Sequence, residues 1–285
     1  MWRLDGPDAG DTDVSRRLAV DPADPTLAER LEAAGVDALV LGGISNARPA
    51  SEAAFQRDLA AAMHLASAAA AAGASRVVLR SSARVYGAWP DNPAWIDEHR
   101  PVRAGHRATQ YNRGYVELER FADGFERDWP TVALARLRFA PVLGPGTPLG
   151  RMLAGPAVAM LAGFDPVIQA LGPRDVARAL ARAATGEPPP RIVHVAPDHG
   201  LTLSQLIARA GRRAIPIPHP AAYAWAFVAD GLAKTPPFPF ELEWMRYACV
   251  LEVTHAHRMG YAPSTSTSGA LEAYLEASAT GSEAA

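Results

Sequence analysis

From residue 14 onward, short runs of β-branched and aliphatic residues alternate with longer stretches rich in alanine and leucine. That is the rhythm of a parallel sheet covered by helices, so an α/β layered fold is expected. The pattern predicts a weak strand at Val14 to Val20, a helix at Pro25 to Ala34 with Asp24 as N-cap, and a buried strand at Val36 to Leu41. A long helix follows, roughly Ala50 to Ala72, then a strand from Arg76 to Arg80. The segment Ser82 to Ala108 carries Pro90, Pro93 and Pro101 and reads as a loop. Beyond it come a helix from about Gln110 to Arg127 and a strand from Val132 to Arg138.

After Pro141 the texture changes. VLGPGTPLG and AGPAV are turn-rich, and the alternation becomes shorter and less regular, which suggests a smaller second lobe. Within it a helix is expected at Asp175 to Thr185, with Asp175 as N-cap, and a strand at Arg191 to Val195. LTLSQLIARAG should be a helix capped by Thr202 or its neighbour and ended by Gly211. EPPP, IPIPHP and TPPFPF read as stiff extended connectors. The apolar segment 221–233 is expected to pack against this lobe, and SATGSEAA at the end to be disordered. No internal repeat is visible.

Composition narrows the classes. With 285 residues, 49% of them hydrophobic, the chain can bury a full core. Its 28 basic and 30 acidic residues leave a net charge of −2, so no general field draws it onto nucleic acid or an anionic membrane. Cys249 is the single cysteine, which excludes an intramolecular disulfide and a CxxC site. His255 and His257 alternate on a segment that reads as extended, but spacing places no third ligand and no metal site is expected. The first residues hold no basic-then-apolar leader and no run is long enough to span a bilayer, so a cytoplasmic protein is expected. Lys234 is the only lysine.

Three strings, in order, carry chemistry: RVVLRSSARVYG at 76–87, YNRGYVELE at 111–119 and ALARLRFAPVLGPG at 133–146. A strand-end serine, Ser82, and a helix tyrosine, Tyr111, can converge on one substrate carbonyl, the first orienting its oxygen and the second exchanging its proton. Together the strings resemble the extended short-chain dehydrogenase/reductase family, the NAD-dependent epimerases and dehydratases. In that family a strand ends in Ser-Ser-x-x-Val-Tyr-Gly, a helix carries Tyr-x-x-x-Lys, and a later strand ends in Arg-x-x-Asn-x-x-Gly. The resemblance implies a Rossmann-like parallel sheet with helices on both faces at 1–146, a smaller substrate lobe at 147–277, and a tail at 278–285. It implies Ser82 and Tyr111 as catalytic residues. Asp5, Asp21, Gly42, Gly43 and Tyr115 take the positions that face NAD or NADP, and Arg138 and Pro141 those that face a nucleotide-sugar-like substrate. The helices at 50–72 and 110–127 are those that pair in a homodimer of relatives.

The chain departs from the pattern at three places. The first strand, its Gly-x-x-Gly-x-x-Gly turn and the following helix are not visible, and WRLDGPDAG resembles the end of the second strand. Either the start was assigned too late or the protein is a shortened relative. Tyr115 stands where the family has lysine, and Arg113, two positions along the helix from Tyr111, points elsewhere. That lysine lowers the tyrosine pKa; a tyrosine left at about 10 is ionised in roughly one molecule per thousand at pH 7. Pro141 replaces the asparagine that binds the nucleotide-sugar phosphate and offers neither amide nor N–H. Two functions are therefore expected as rivals: an NAD(P)-dependent epimerase/dehydratase-like oxidoreductase or isomerase with impaired activity, and a non-catalytic binding or scaffold protein.

Overall fold

The computed structural model describes residues 3–5, 17–19, 21–42, 52–103, 110–222, 224 and 242–282. Its centre is a four-stranded parallel sheet of β3 (Ala38–Leu41), β4 (Arg76–Ser82), β5 (Ala133–Phe139) and β8 (Ile192–Val195), in that order. The register sets Leu79 beside Arg136, Ser81 beside Arg138 and Ser82 beside Phe139. β5 is buried along almost its whole length and β4 through its middle, Val77 to Leu79, as expected of parallel strands covered on both faces. One face carries α1 (Leu27–Ala33), α2 (Glu52–Ala71) and α3 (Gln110–Asp128), where Leu31, Phe55, Leu118 and Phe125 meet Val77 and Leu79. The other carries α5 (Pro173–Thr185), whose Val176 and Ala179 meet Val78, Leu137 and Val193.

A separate parallel pair is formed by β1 (Arg3–Asp5) and β2 (Arg17–Ala19). Among the described residues no strand joins this pair to β3, which bonds to β4 alone. A Rossmann order places its first strand between the second and the fourth, and no described strand takes that place.

The remainder builds a third core. β6 (Ala157–Leu161) pairs in parallel with β10 (Arg213–Ile217), and β7 (Val167–Ile168) pairs antiparallel with β9 (Leu201–Thr202). α4 (Pro148–Ala154), α6 (Leu203–Arg209) and α8 (Thr267–Ser282) close it through Leu149, Leu153, Leu206 and Leu271. The segment after residue 147 is not wholly apart, because α5 and β8 return to the central sheet and α7 (Thr254–Arg258) packs beside β8.

Several local expectations are corrected. Thr26, not Asp24, is the N-cap of α1; the Asp24 carboxylate instead accepts from the Thr26 N–H and hydroxyl and from Arg30. α5 starts after Gly172 with Pro173 in its first turn, so Asp175 lies inside the helix, buried, where it accepts from the Ser264 N–H and the hydroxyls of Ser264 and Thr265. Ile215, Pro216 and Ile217, expected in a connector, form strand β10 against β6, and 278–282 continue α8. His255 and His257 stand on helix α7 rather than an extended segment. By contrast Thr202 caps α6 with a capping box to Gln205, and Gly211, at φ +67°, ends it. Of 221–233, only 221, 222 and 224 are described, and they are helical; TPPFPF at 235–240 lies outside the described residues. No helix among the described residues is long and apolar enough to cross a membrane.

Candidate active-site cleft

β4 ends at Ser82 in extended conformation and turns at once into a 3-10 helix, Ala83–Tyr86. Ser82 starts that helix as its cap, its hydroxyl oxygen accepting the Arg84 N–H at 3.3 Å. Gly87, at φ +72°, ends it, and a β-carbon there would collide with the Trp89 ring. The turn therefore leaves Ser82 half-buried at the C-terminal edge of the sheet, where α/β folds hold their ligands. A small open cleft lies there, lined by Arg80, Ser82 and Arg84 from β4 and its turn, Tyr115 from α3, and Pro141 and Thr147 from the segment after β5. Tyr111 lies one turn before Tyr115 on α3; its side chain lies outside the described residues.

Behind the cleft runs a buried polar column. Glu119, one turn beyond Tyr115, accepts from the Ser81 hydroxyl at 2.6 Å and from Arg138 Nε and Nη2 at 2.9 and 2.7 Å. Arg138 also donates to the Tyr86 hydroxyl at 2.5 Å, which donates onward to His194 Nε2 at 2.5 Å. His194 Nδ1 in turn donates to the Glu252 carbonyl at 2.9 Å. Arg138 and Glu119 are each 3% exposed, so Arg138 is spent on this column and does not line the cleft as a substrate ligand would. The cause is strand alternation. The Arg138 and Ser81 side chains bond Glu119 on α3, while Phe139, the neighbour of Arg138, lines the cleft.

Electrostatics follow from burial. Burial alone would lower the Arg138 guanidinium, but Glu119 outweighs it and holds the charge more firmly than in water. Burial raises the Tyr86 phenol and lowers His194, leaving both neutral near pH 7, in accord with the direction of their hydrogen bonds. Neither Glu119 nor His194 was singled out from sequence. The available signal was the spacing 111, 115 and 119 on one helical face, opposite a strand with arginines at 136 and 138.

The structure brings Ser82, Tyr115 and Pro141 to one cleft and leaves the other candidates elsewhere. Asp21 is exposed, its carboxylate accepting the Ala23 N–H at 2.9 Å in a turn after β2. Gly42 follows β3, its carbonyl accepting from Arg80 Nη1 at 3.0 Å, and a β-carbon there would meet nothing within 4 Å. Asp5 ends β1 with its side chain outside the described residues, and Gly43 is outside them altogether. Among the described residues no group of three metal-ligating side chains converges; His255 is exposed and His257 bonds the Ala196 carbonyl at 2.9 Å.

A sequence profile of the NAD dependent epimerase/dehydratase family matches residues 6–196. The chain belongs to that family. Uncharacterized proteins of Mycobacterium tuberculosis and Mycobacterium bovis are 30% identical to it over 284 residues, covering 92% of this chain and 73% of theirs. The UDP-glucuronic acid 4-epimerase of Bacillus cereus, solved with UDP-glucuronic acid and NAD, superposes with a TM-score of 0.68 at 14% identity over 93% of this chain and 82% of that one. The UDP-glucose 4-epimerase of Thermotoga maritima, solved with UDP-glucose, gives 0.69 at 18% over 96% and 89%. At these identities the two solved structures establish a shared fold. In a Rossmann fold the cofactor pyrophosphate rests on a glycine-rich turn at a helix N-terminus. No two of the 23 glycines in this epimerase-family chain stand three residues apart, so that Gly-x-x-Gly-x-x-Gly turn is not among its residues. The residues present therefore do not fit the pyrophosphate of such a cofactor.

Proposed function

We propose that this family member receives the sugar end of a nucleotide-sugar-like molecule in the cleft at the ends of β4 and β5, with Ser82 orienting the reacting oxygen and Tyr111 exchanging its proton. The observation that carries the reading is the convergence of Ser82, Tyr115 and Pro141 on one cleft from three separate stretches of chain. Structural neighbours with bound UDP-sugars and NAD support the ligand class. Asp5, Asp21, Gly42 and Gly43 are the positions assigned to NAD or NADP, and the missing pyrophosphate turn makes its hold weak. The division into a dinucleotide-binding part, 1–146, and a substrate lobe from 147 belongs to the same reading.

Turnover is expected to be low. Tyr115 is 2% exposed and brings no positive charge to the helical turn after Tyr111, where the family's lysine would stabilise a tyrosinate. The same substitution favours a second reading, in which the protein binds its ligand without converting it. The test is product formation from a panel of UDP-sugars at millimolar NAD+, followed by NMR in the parent, Tyr115→Lys and Tyr111→Phe. Slow conversion that rises up to about a hundredfold in Tyr115→Lys and vanishes in Tyr111→Phe is expected. Conversion that survives Tyr111→Phe refutes the assigned roles, and binding without conversion in all three leaves the second reading.

A further inference from the structure

Two of the cleft's lining side chains are arginines placed by the same strand end. Along β4 the cleft-side positions include Arg80 and Ser82, and the turn that follows adds Arg84. The lining includes these two arginines and no acidic residue among the described residues. Glu119 on α3 is turned behind the sheet to Arg138.

Arg84 is held rather than merely present. Its Nη1 donates to Oδ1 of Asn112, a residue 5% exposed on α3, at 3.1 Å. Its guanidinium carbon lies over the Trp244 ring, 4.9 Å from the centroid. Its backbone N–H is the one accepted by Ser82. The Asn112 bond and the Trp244 ring restrain the guanidinium, and the donors of such a fork match a two-oxygen anion. Because the side chain is already restrained, less of its freedom is lost when an anion docks. Arg80, donating to the Gly42 carbonyl, is tied down on the same side.

We propose that Arg84, assisted by Arg80, seats an anionic oxygen group of the ligand beside Ser82. This rests on the cleft being the ligand site, as proposed above. The anion has two sources in a nucleotide-sugar-like molecule: a carboxylate on the sugar, or the diphosphate.

Calorimetric titration of UDP, UDP-glucose and UDP-glucuronic acid into the wild-type chain, Arg84→Gln and Arg84→Lys separates the cases. Arg84→Gln should weaken binding by about tenfold or more, and Arg84→Lys should recover part of that loss. A loss confined to UDP-glucuronic acid identifies the carboxylate; an equal loss for all three ligands identifies the diphosphate. Equal affinities in wild type and Arg84→Gln for every ligand overturn the anion seat while leaving the cleft as the ligand site. Failure of the wild-type chain to bind any of the three overturns both. Matched melting temperatures establish that the variants are folded. Should Arg84→Gln not fold, Arg80→Gln takes its place, with a several-fold loss expected and unchanged affinity counting against the seat.

Discussion

Replacing Glu119 with glutamine removes the carboxylate on which the buried column depends. Arg138 meets it through two charged hydrogen bonds at 2.9 and 2.7 Å, and both residues are 3% exposed. Removing one partner of such a pair costs about 3–5 kcal/mol, because the remaining charge stays buried. Arg138 keeps the Tyr86 hydroxyl, and Arg136 keeps Asp123 and Glu126, so the loss should fall near the lower end, about 3 kcal/mol. Urea unfolding followed by circular dichroism reads this as a lower midpoint at unchanged slope. Exchanging the pair for apolar residues, Glu119→Leu with Arg138→Met, should restore most of the stability. Ligand affinity should also fall in Glu119→Gln, since Ser81 loses the acceptor that fixes the strand end next to Ser82. A destabilisation under about 1 kcal/mol would refute the reasoning, because an exposed pair costs no more than that.

Three further outcomes are expected. His194 is held neutral by burial, so its folded pKa lies below the unfolded value of about 6.5. Below that pH the unfolded chain binds the extra proton first and stability falls as pH drops; His194→Gln should flatten this slope between pH 7 and 5, and an unchanged slope would exclude His194 as its source. Cys249 is buried against the Ala83 carbonyl and its thiol is pushed up to about 12, so Ellman's reagent at pH 8 should leave the native protein unmodified and react once it is unfolded in urea. NAD+ should bind this chain more weakly than micromolar by calorimetry, for want of the pyrophosphate turn; a micromolar dissociation constant would show another cradle.

The sequence pattern reaches furthest where packing is simplest. The strands read at 76–80 and 132–138 are legible from their aliphatic runs, Val77 to Leu79 and Val132 to Leu134, as strands covered on both faces show them; they run in fact over 76–82 and 133–139. Capping at Thr202 is legible because its partner, Gln205, is local. Asp175 is misplaced because its partners, Ser264 and Thr265, come from a distant stretch of chain, and a first-turn aspartate resembles a cap until they are known. Ile215 to Ile217 look like a connector because proline weakens a strand signal, yet Pro216 fits a short two-stranded ladder. At the site, the Ser-Ser-x-x-Val-Tyr-Gly turn locates Ser82 and the cleft. Arg138 is misread as a ligand because sequence does not reveal which face of β5 it takes; Glu119 settles that.

The account rests most directly on where a nucleotide-sugar-like molecule binds. Hydrogen–deuterium exchange with and without saturating UDP-glucose addresses this in the unmodified chain. Protection is expected in two separate stretches, the strand end and turn at 80–84 and the cleft segment at 139–149, both of which line the cleft. Protection confined to other elements, or none at a concentration where calorimetry shows binding, would contradict it.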